Sequence, residues 1–597
     1  MSTIALGEYL WRRILEVGIE SVMGLPGDFN LQLLDHIYNV EGLRWIGTAN
    51  ELNAAYAVDG YARIKNVPGC IVTTHGVGEL SALNAIAGSL TEQVKVIHIV
   101  GQTTRPMQKN RMMIHHSIGS DPDHQIFNSA SKRFRVAEAE LWDIHNACEE
   151  IDRVIRECFI KSGPVYIFLP LDLVDEMVPA DRLKTPIDVS MPKTEQTKAT
   201  MASAAKEIAS AIAQSKNPAI FVDCLLMRHN AVNEARKLFE LLGFPIYQSC
   251  IGMGIVDPKS KQLIGIYNGK ISSPGVCEAF DSSDLLLVFG RLPADTNSGG
   301  FTQNMPVGKT IEFKPTEVDF RGMKSFEGLY YQDFIPYLTE HLSSAQLPKV
   351  TIPTMPKYTI SNPGDKEITT AWFWPRFTEF LQEGDSLVAD TGTSLFGLQD
   401  CDFPSHTTYN SQTYYGSIGY ATPAAMGAEL ARQELTKSKH PSAKKAQTVP
   451  KRTLLITGDG SIQLTVAEIG TMYHYGACPI LVVINNNGYT VERCIHGAKQ
   501  KYNDIVPYDW SRALEFFGMP AETAKNSFVR CSTREEVEAM LKMEQFRNPK
   551  NVMIVEVMMD PFDAPWKMLN QIGQRGEATL QEMRDGGFTL RHAVLEK

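Results

Sequence analysis

The sequence predicts an α/β protein of three domains, each a doubly wound parallel sheet. Short β-branched runs alternate with helix-period segments over most of the chain, the pattern that makes strands parallel with helical crossovers. At 597 residues the chain exceeds what a single core can organise. Two proline-bearing stretches poor in helix formers, about 186–200 and 343–366, interrupt the alternation. These breaks predict domains at 1–185, 200–342 and 366–560, with a C-terminal tail at 561–597.

The first region opens with a helix over 4–18 and a strand over 20–23, which runs into Gly24-Leu25-Pro26-Gly27-Asp28. A strand at 43–48 precedes a helix beginning at Glu51. Strands at 69–74 and 94–100 enclose a small-residue helix at 80–90, and 164–169 is the last strand. In the second region, 218–223, 245–247 and 284–288 read as strands. In the third, a strand at 453–457 stops at Gly458-Asp459-Gly460-Ser461. A helix is expected from there to about Tyr475, then a strand at 479–484 ending at Asn485-Asn486-Asn487-Gly488. The first and third regions share this architecture, with polar loops at strand ends. The Lys-, Ser- and Pro-rich stretch 435–452 has no apolar period and predicts a solvated loop.

Composition narrows the class. With 43% hydrophobic and 21% charged residues, the chain is a soluble globular protein rather than a disordered one. A net charge of −10 argues against a general nucleic-acid binder. Ten scattered cysteines without a CxxC pair read as reduced thiols. The first eighteen residues carry acids in an amphipathic pattern, unlike a signal peptide, and no apolar run is long enough for a membrane span. A cytoplasmic protein is expected, with neither nucleic acid nor membrane as a partner.

The strand–loop–helix–strand unit around 453–488 carries the chemistry. Glycines flanking Asp459 let backbone N–H groups approach a phosphate. Asp459, the Asn486 side chain and the Gly488 carbonyl are hard oxygen donors, the set that Mg²⁺ takes together with phosphate oxygens.

These loops belong to a longer series: VMGLPGDFN (22–30), NELNAAYAVDGYAR (50–63), GVGELSALNAIAG (76–88), HHSIG (115–119), DTGTSLFG (390–397), GSIGY (416–420), GDGSIQLT (458–465) and NNGYTVE (486–492). On this series the chain resembles the thiamine-diphosphate-dependent 2-oxo acid decarboxylases over nearly its whole length. The resemblance implies the thiamine-diphosphate-binding fold, with pyrimidine-binding, middle and diphosphate-binding domains, and thiamine diphosphate and Mg²⁺ as cofactors. It implies loss of CO₂ from a 2-oxo acid through an enamine, most simply pyruvate giving acetaldehyde.

Residue by residue, the resemblance makes Asp459, Asn486 and Gly488 the metal ligands. Thr393, Gly416, Ser417, Ile418, Gly460 and Ser461 contact the cofactor, Gly416 through its carbonyl and Ile418 as the prop beneath the bent coenzyme. Glu51 is the acid paired with the aminopyrimidine, where burial would raise its pKa. Asp28, His115, His116 and Glu492 are the acid–base set. Phe301, Leu395, Ile418 and Val491 are the expected substrate pocket, with Tyr415 nearby. The resemblance also implies a site shared between two subunits, hence a homodimer at least and a tetramer as the family pattern.

The chain departs from the family pattern at Leu225 and Leu226, which displace Cys224, and at Gln93, where many relatives have histidine. These changes predict absent or altered activation by substrate. The loop GSDPDHQIF after the histidine pair is one residue longer, and Val491 stands where a larger aliphatic is common. Preference for longer or aromatic 2-oxo acids is the alternative reading. An acetolactate-synthase-type carboligase, expected to lack the histidine pair, and a non-catalytic assembly protein are the remote ones.

Overall fold

A computed structural model describes residues 2–361, 367–437 and 449–596. Three sheets organise it. In the first region six parallel strands lie in the order Arg44–Gly47, Ser21–Gly24, Gly69–Thr74, Val96–Gln102, Pro164–Pro170, Ala137–Glu140. In the third the order is Thr408–Ser411, Asp385–Ala389, Arg452–Gly458, Ile480–Asn485, Met553–Met558, Phe528–Cys531, again all parallel. Numbered along the chain, both sheets read 2-1-3-4-6-5. Ala137–Glu140, with sequence AEAE, is invisible to propensity and becomes a strand by pairing at the sheet edge.

The middle sheet is mixed. Leu263–Ile266, Ile246–Gln248, Pro218–Val222, Leu285–Phe289 and Thr310–Lys314 run parallel, and Glu317–Phe320 and Lys324–Glu327 extend it antiparallel. Short turns replace crossovers there, which only antiparallel neighbours permit.

The first and third sheets share one apolar core. Its seam is a helix pair, Glu51–Lys65 against Ala421–Lys437. A Cβ on Gly427 would lie 1.8 Å from the Ala57 carbonyl, and one on Gly60 would lie 2.0 Å from the Ala424 carbonyl, so only glycine lets these backbones touch. The far end of the seam is polar. Lys65 Nζ donates to Glu434 Oε2 at 2.5 Å and to Glu20 Oε1 at 3.0 Å, and Tyr61 Oη donates to Glu434 Oε2.

Two expectations need correction. The helix ending at Lys437 takes in 435–437, and Arg452 opens a strand with its guanidinium on Asp385; the expected loop 435–452 therefore shrinks at both ends, and 438–448 lies outside the described residues. The helix expected from Asp459 to about Tyr475 is two, Asp459–Gln463 and Glu468–His474, because the Thr465 hydroxyl donates to the Gly419 carbonyl and the intervening turns tighten. In the C-terminal tail, helices Trp566–Gly573 and Glu577–Gly586 pack on the core of the third region, and Ala593–Leu595 pairs with Tyr358–Ile360 from the second proline-bearing stretch. No helix among the described residues is long and apolar enough to cross a membrane.

Candidate active site

The strands Arg452–Gly458 and Ile480–Asn485 are parallel neighbours, with Gly458 opposite Ile484. Their carboxyl ends therefore bring Asp459 beside Asn486. The Asp459 carboxylate is buried, and burial pushes it up to about 6 against the pull of the Gly488, Gly460 and Asn487 N–H groups. Its Oδ1 accepts from Gly460 N at 3.0 Å and its Oδ2 from Gly488 N at 3.2 Å. One terminal atom of the Asn486 amide lies 3.1 Å from Asp459 Oδ1 and 3.0 Å from the Gly488 carbonyl. A nitrogen at that position donates to both, leaving the amide oxygen to accept from Thr490 Oγ1. An oxygen there instead completes a trio of oxygens that face one another. Octahedral Mg²⁺ ligands at about 2.0–2.1 Å stand roughly 2.9 Å apart, so the spacing suits that cation.

Close approach explains the glycines around this trio. A Cβ on Gly460 would meet the Tyr489 ring at 2.7 Å. Gly488 adopts φ +127° with the Asn503 carbonyl 2.4 Å from where its Cβ would be.

A cleft of about 380 Å³ opens on the trio. Of the residues named from the motifs, Thr393, Ile418, Asp459, Gly460, Ser461, Asn486, Gly488, Val491 and Glu492 line it. Partial burial raises the Glu492 carboxyl above its ordinary value. Gly416 and Ser417 lead into Ile418. Ser417 is held by the Tyr56 hydroxyl at 2.5 Å and through its own N–H by the Gln412 side chain.

Two expected pocket residues are elsewhere. Leu395 is fully buried in the core of the third region, and Phe396 lines the cleft in its place. On the short helix Thr393–Gly397, residues 393 and 396 share a face while 395 points to the sheet. Phe301 is 72% exposed on a loop and does not line the cleft; Thr296, from the same loop region, does. Tyr415 likewise lies outside, its hydroxyl donating to Asn84. Thr391, Leu464, Tyr489 and Thr490 also line the cleft, with Gly392 and Gly458. All of these sit inside quoted motifs and were legible there, whereas Thr296 carries no pattern.

The remaining residues form a second cluster, at strand ends of the first sheet. His115 Nε2 lies 3.0 Å from Asp28 Oδ2, with both side chains more than half exposed. The His115 ring stacks on Phe29 at 5.2 Å and meets His116 edge-on at 4.7 Å. Glu51 begins its helix behind the Asn50 cap, half-buried, with Oε1 against Gly78. None of Asp28, Glu51, His115 and His116 lines the cleft of the same chain.

Three family models match in order along the chain. They are the thiamine pyrophosphate enzyme N-terminal TPP binding domain over residues 4–126, the central domain over 205–326, and the C-terminal TPP binding domain over 390–557. The chain belongs to the thiamine pyrophosphate enzymes. Among the relatives of this family member, pyruvate decarboxylase of Kluyveromyces lactis is 40% identical over 577 residues, covering 96% of this chain and 98% of that one. Pyruvate decarboxylase isozyme 1 of Saccharomyces cerevisiae is 40% identical over 578 residues with the same coverage. Pyruvate decarboxylase of Aspergillus terreus is 38% identical over 565 residues, 94% of this chain and 95% of the relative. Thiamine pyrophosphate enzymes use thiamine diphosphate with Mg²⁺, and the oxygen trio at the cleft has the donor chemistry to hold that metal.

Proposed function

We propose that this chain decarboxylates pyruvate to acetaldehyde and CO₂. One observation carries the reading: Asp459, Asn486 and Gly488 line the same cleft as Ile418 and Glu492, in a chain that matches pyruvate decarboxylases end to end.

When bound, thiamine diphosphate supplies the electron sink for the pair left behind as CO₂ departs. Asp459, Asn486 and the Gly488 carbonyl would hold the metal at its diphosphate, and Ile418 would support its bend. Glu51 would hold a proton shared with its aminopyrimidine ring. Phe396, Ile418 and Val491 give the cleft an apolar wall that strips water from the substrate carboxylate. Glu492, kept protonated to higher pH by burial, has a proton to give. His115 Nε2 and Asp28 Oδ2 hold another between them, ready for the substrate carbon once CO₂ has left.

The working unit is a homodimer, in which Asp28, Glu51, His115 and His116 of one copy complete the cleft of the other. Support comes from the separation of the two clusters within a chain and from exposed apolar residues beside each, Val77 and Leu80 at one and Leu464 at the other. A dimer of dimers in the cytoplasm completes the reading, in keeping with ten free cysteines.

The test is release of CO₂ and aldehyde from pyruvate, 2-oxobutanoate, phenylpyruvate and indolepyruvate by the full-length protein. Turnover of pyruvate is expected to be fastest, to require both Mg²⁺ and thiamine diphosphate, and to be mostly lost in Glu51→Gln with the fold retained. Faster turnover of an aromatic acid would reassign the substrate; no CO₂ from any of them would sink the reading.

A further inference from the structure

Behind the His115–His116 pair lie two more imidazoles that the reaction leaves unused. His75 and His124 stack with ring centroids 5.5 Å apart at 23°, both buried. His124 joins two segments. Its Nδ1 meets Thr103 Oγ1 at 2.8 Å, next to the end of the strand Val96–Gln102, and its Nε2 meets the Met112 carbonyl at 2.9 Å. A carbonyl only accepts, so Nε2 carries the proton, and in the neutral ring Nδ1 accepts from the Thr103 hydroxyl. Met112 stands three residues before His115. The turn between is tied by Ile114 N donating to the Met112 carbonyl and Ser117 N donating to that of Ile114. A continuous path thus runs from the rigid sheet through His124 to the imidazole that faces Asp28.

His75 makes charge matter here. Neither of its ring nitrogens has a hydrogen-bond partner among the described residues. Phe29 and Phe127 meet it edge-on at 5.9 and 5.1 Å, and His124 covers its face. The titratable groups facing it are His115, His116, His124 and Glu79, whose Oε1 is 3.9 Å from His75 Nδ1. Burial and the neighbouring imidazoles push His75 down to about 4. Burial pushes Glu79 up to about 7 against the Gly76 N–H that donates to it and the charge of Arg135, so this carboxyl is a weak counter-charge below neutrality.

We propose that His124 is a positioning residue for His115 and Asp28, and that this anchor loosens when acid charges the buried His75 stacked on it. The proposal rests on the decarboxylase reading, in which His115 and Asp28 act on substrate.

The experiment uses the full-length holoenzyme. His124→Phe keeps the ring and the stack but removes both hydrogen bonds. Its kcat is expected to fall about 10- to 100-fold with KM little changed, the loss typical of a misplaced catalytic group. Thiamine diphosphate binding, followed by intrinsic fluorescence, should be unaltered, and amides 112–117 should exchange with deuterium faster. His75→Phe keeps the anchor and removes the chargeable partner, so it should match wild type at neutral pH while the acid limb of kcat moves to lower pH. A kcat and exchange pattern in His124→Phe like wild type would overturn the proposal, as would a His75→Phe pH profile superimposable on wild type. Should His124→Phe not fold, Thr103→Val cuts one arm of the anchor and carries the same expectations. If wild type itself released no CO₂, the decarboxylase reading would fail, while the exchange measurement would still judge the anchor.

Discussion

At the scale of single residues, burial decides which groups hold protons. Glu492 sits at the cleft with its carboxyl raised by desolvation, whereas a carboxyl in water is ionised well below neutrality. As a proton donor it works in its protonated form, so its contribution is present below the raised pKa and is lost as pH rises through it. The kcat–pH profile should therefore show a descending basic limb that Glu492→Gln abolishes along with most of the rate. A basic limb that persists unchanged in Glu492→Gln would assign that ionisation to another group. That Asp459 and Asn486 stand side by side was legible because their motifs end two adjacent strands. Leu395 was misplaced because a motif names a turn of helix without saying which face it shows.

At the scale of elements, the seam between Glu51–Lys65 and Ala421–Lys437 matters most for the site. The first helix starts at Glu51, and the second follows directly on Ile418-Gly419-Tyr420, so their separation sets where the acid and the prop stand. Gly427→Ala places a methyl on the Ala57 carbonyl, where backbone cannot yield as a side chain would. Overpacking of this kind typically costs about 1–3 kcal/mol. The variant should melt at lower temperature and lose turnover disproportionately, because both helices carry site residues at their starts. Wild-type melting and kcat would mean that the seam relaxes without moving either. The small-residue content of both helices was visible in the sequence; that Gly60 and Gly427 answer each other across one seam was not, since nothing local pairs residues so far apart.

At the scale of the whole molecule, none of Asp28, Glu51, His115 and His116 lines the cleft of its own chain, and this supplies a test of assembly. Glu51→Gln and Asp459→Ala should each be inactive. If each cleft takes its acid from the partner, a mixed dimer has one site with both lesions and one with none. Random reassortment under two-fold symmetry should then restore about a quarter of wild-type activity. Mixtures that stay inactive after verified subunit exchange would place both groups in one chain's site.

The amino-acid sequence determined by itself the order of strands and helices over much of the chain and the oxygen-donor loops at 458–461 and 485–488. These are local properties: hydrophobic period, glycine where backbone must approach, and donors at strand ends. Only tertiary structure decided the antiparallel edge of the middle sheet, the strand character of Ala137–Glu140, the inward turn of Leu395 and the exposure of Phe301. It alone stacked His75 on His124, forty-nine positions away in the sequence. Each of these depends on what packs against a residue from a distant part of the chain, and pairing, face and burial are set by those partners rather than by neighbours in sequence.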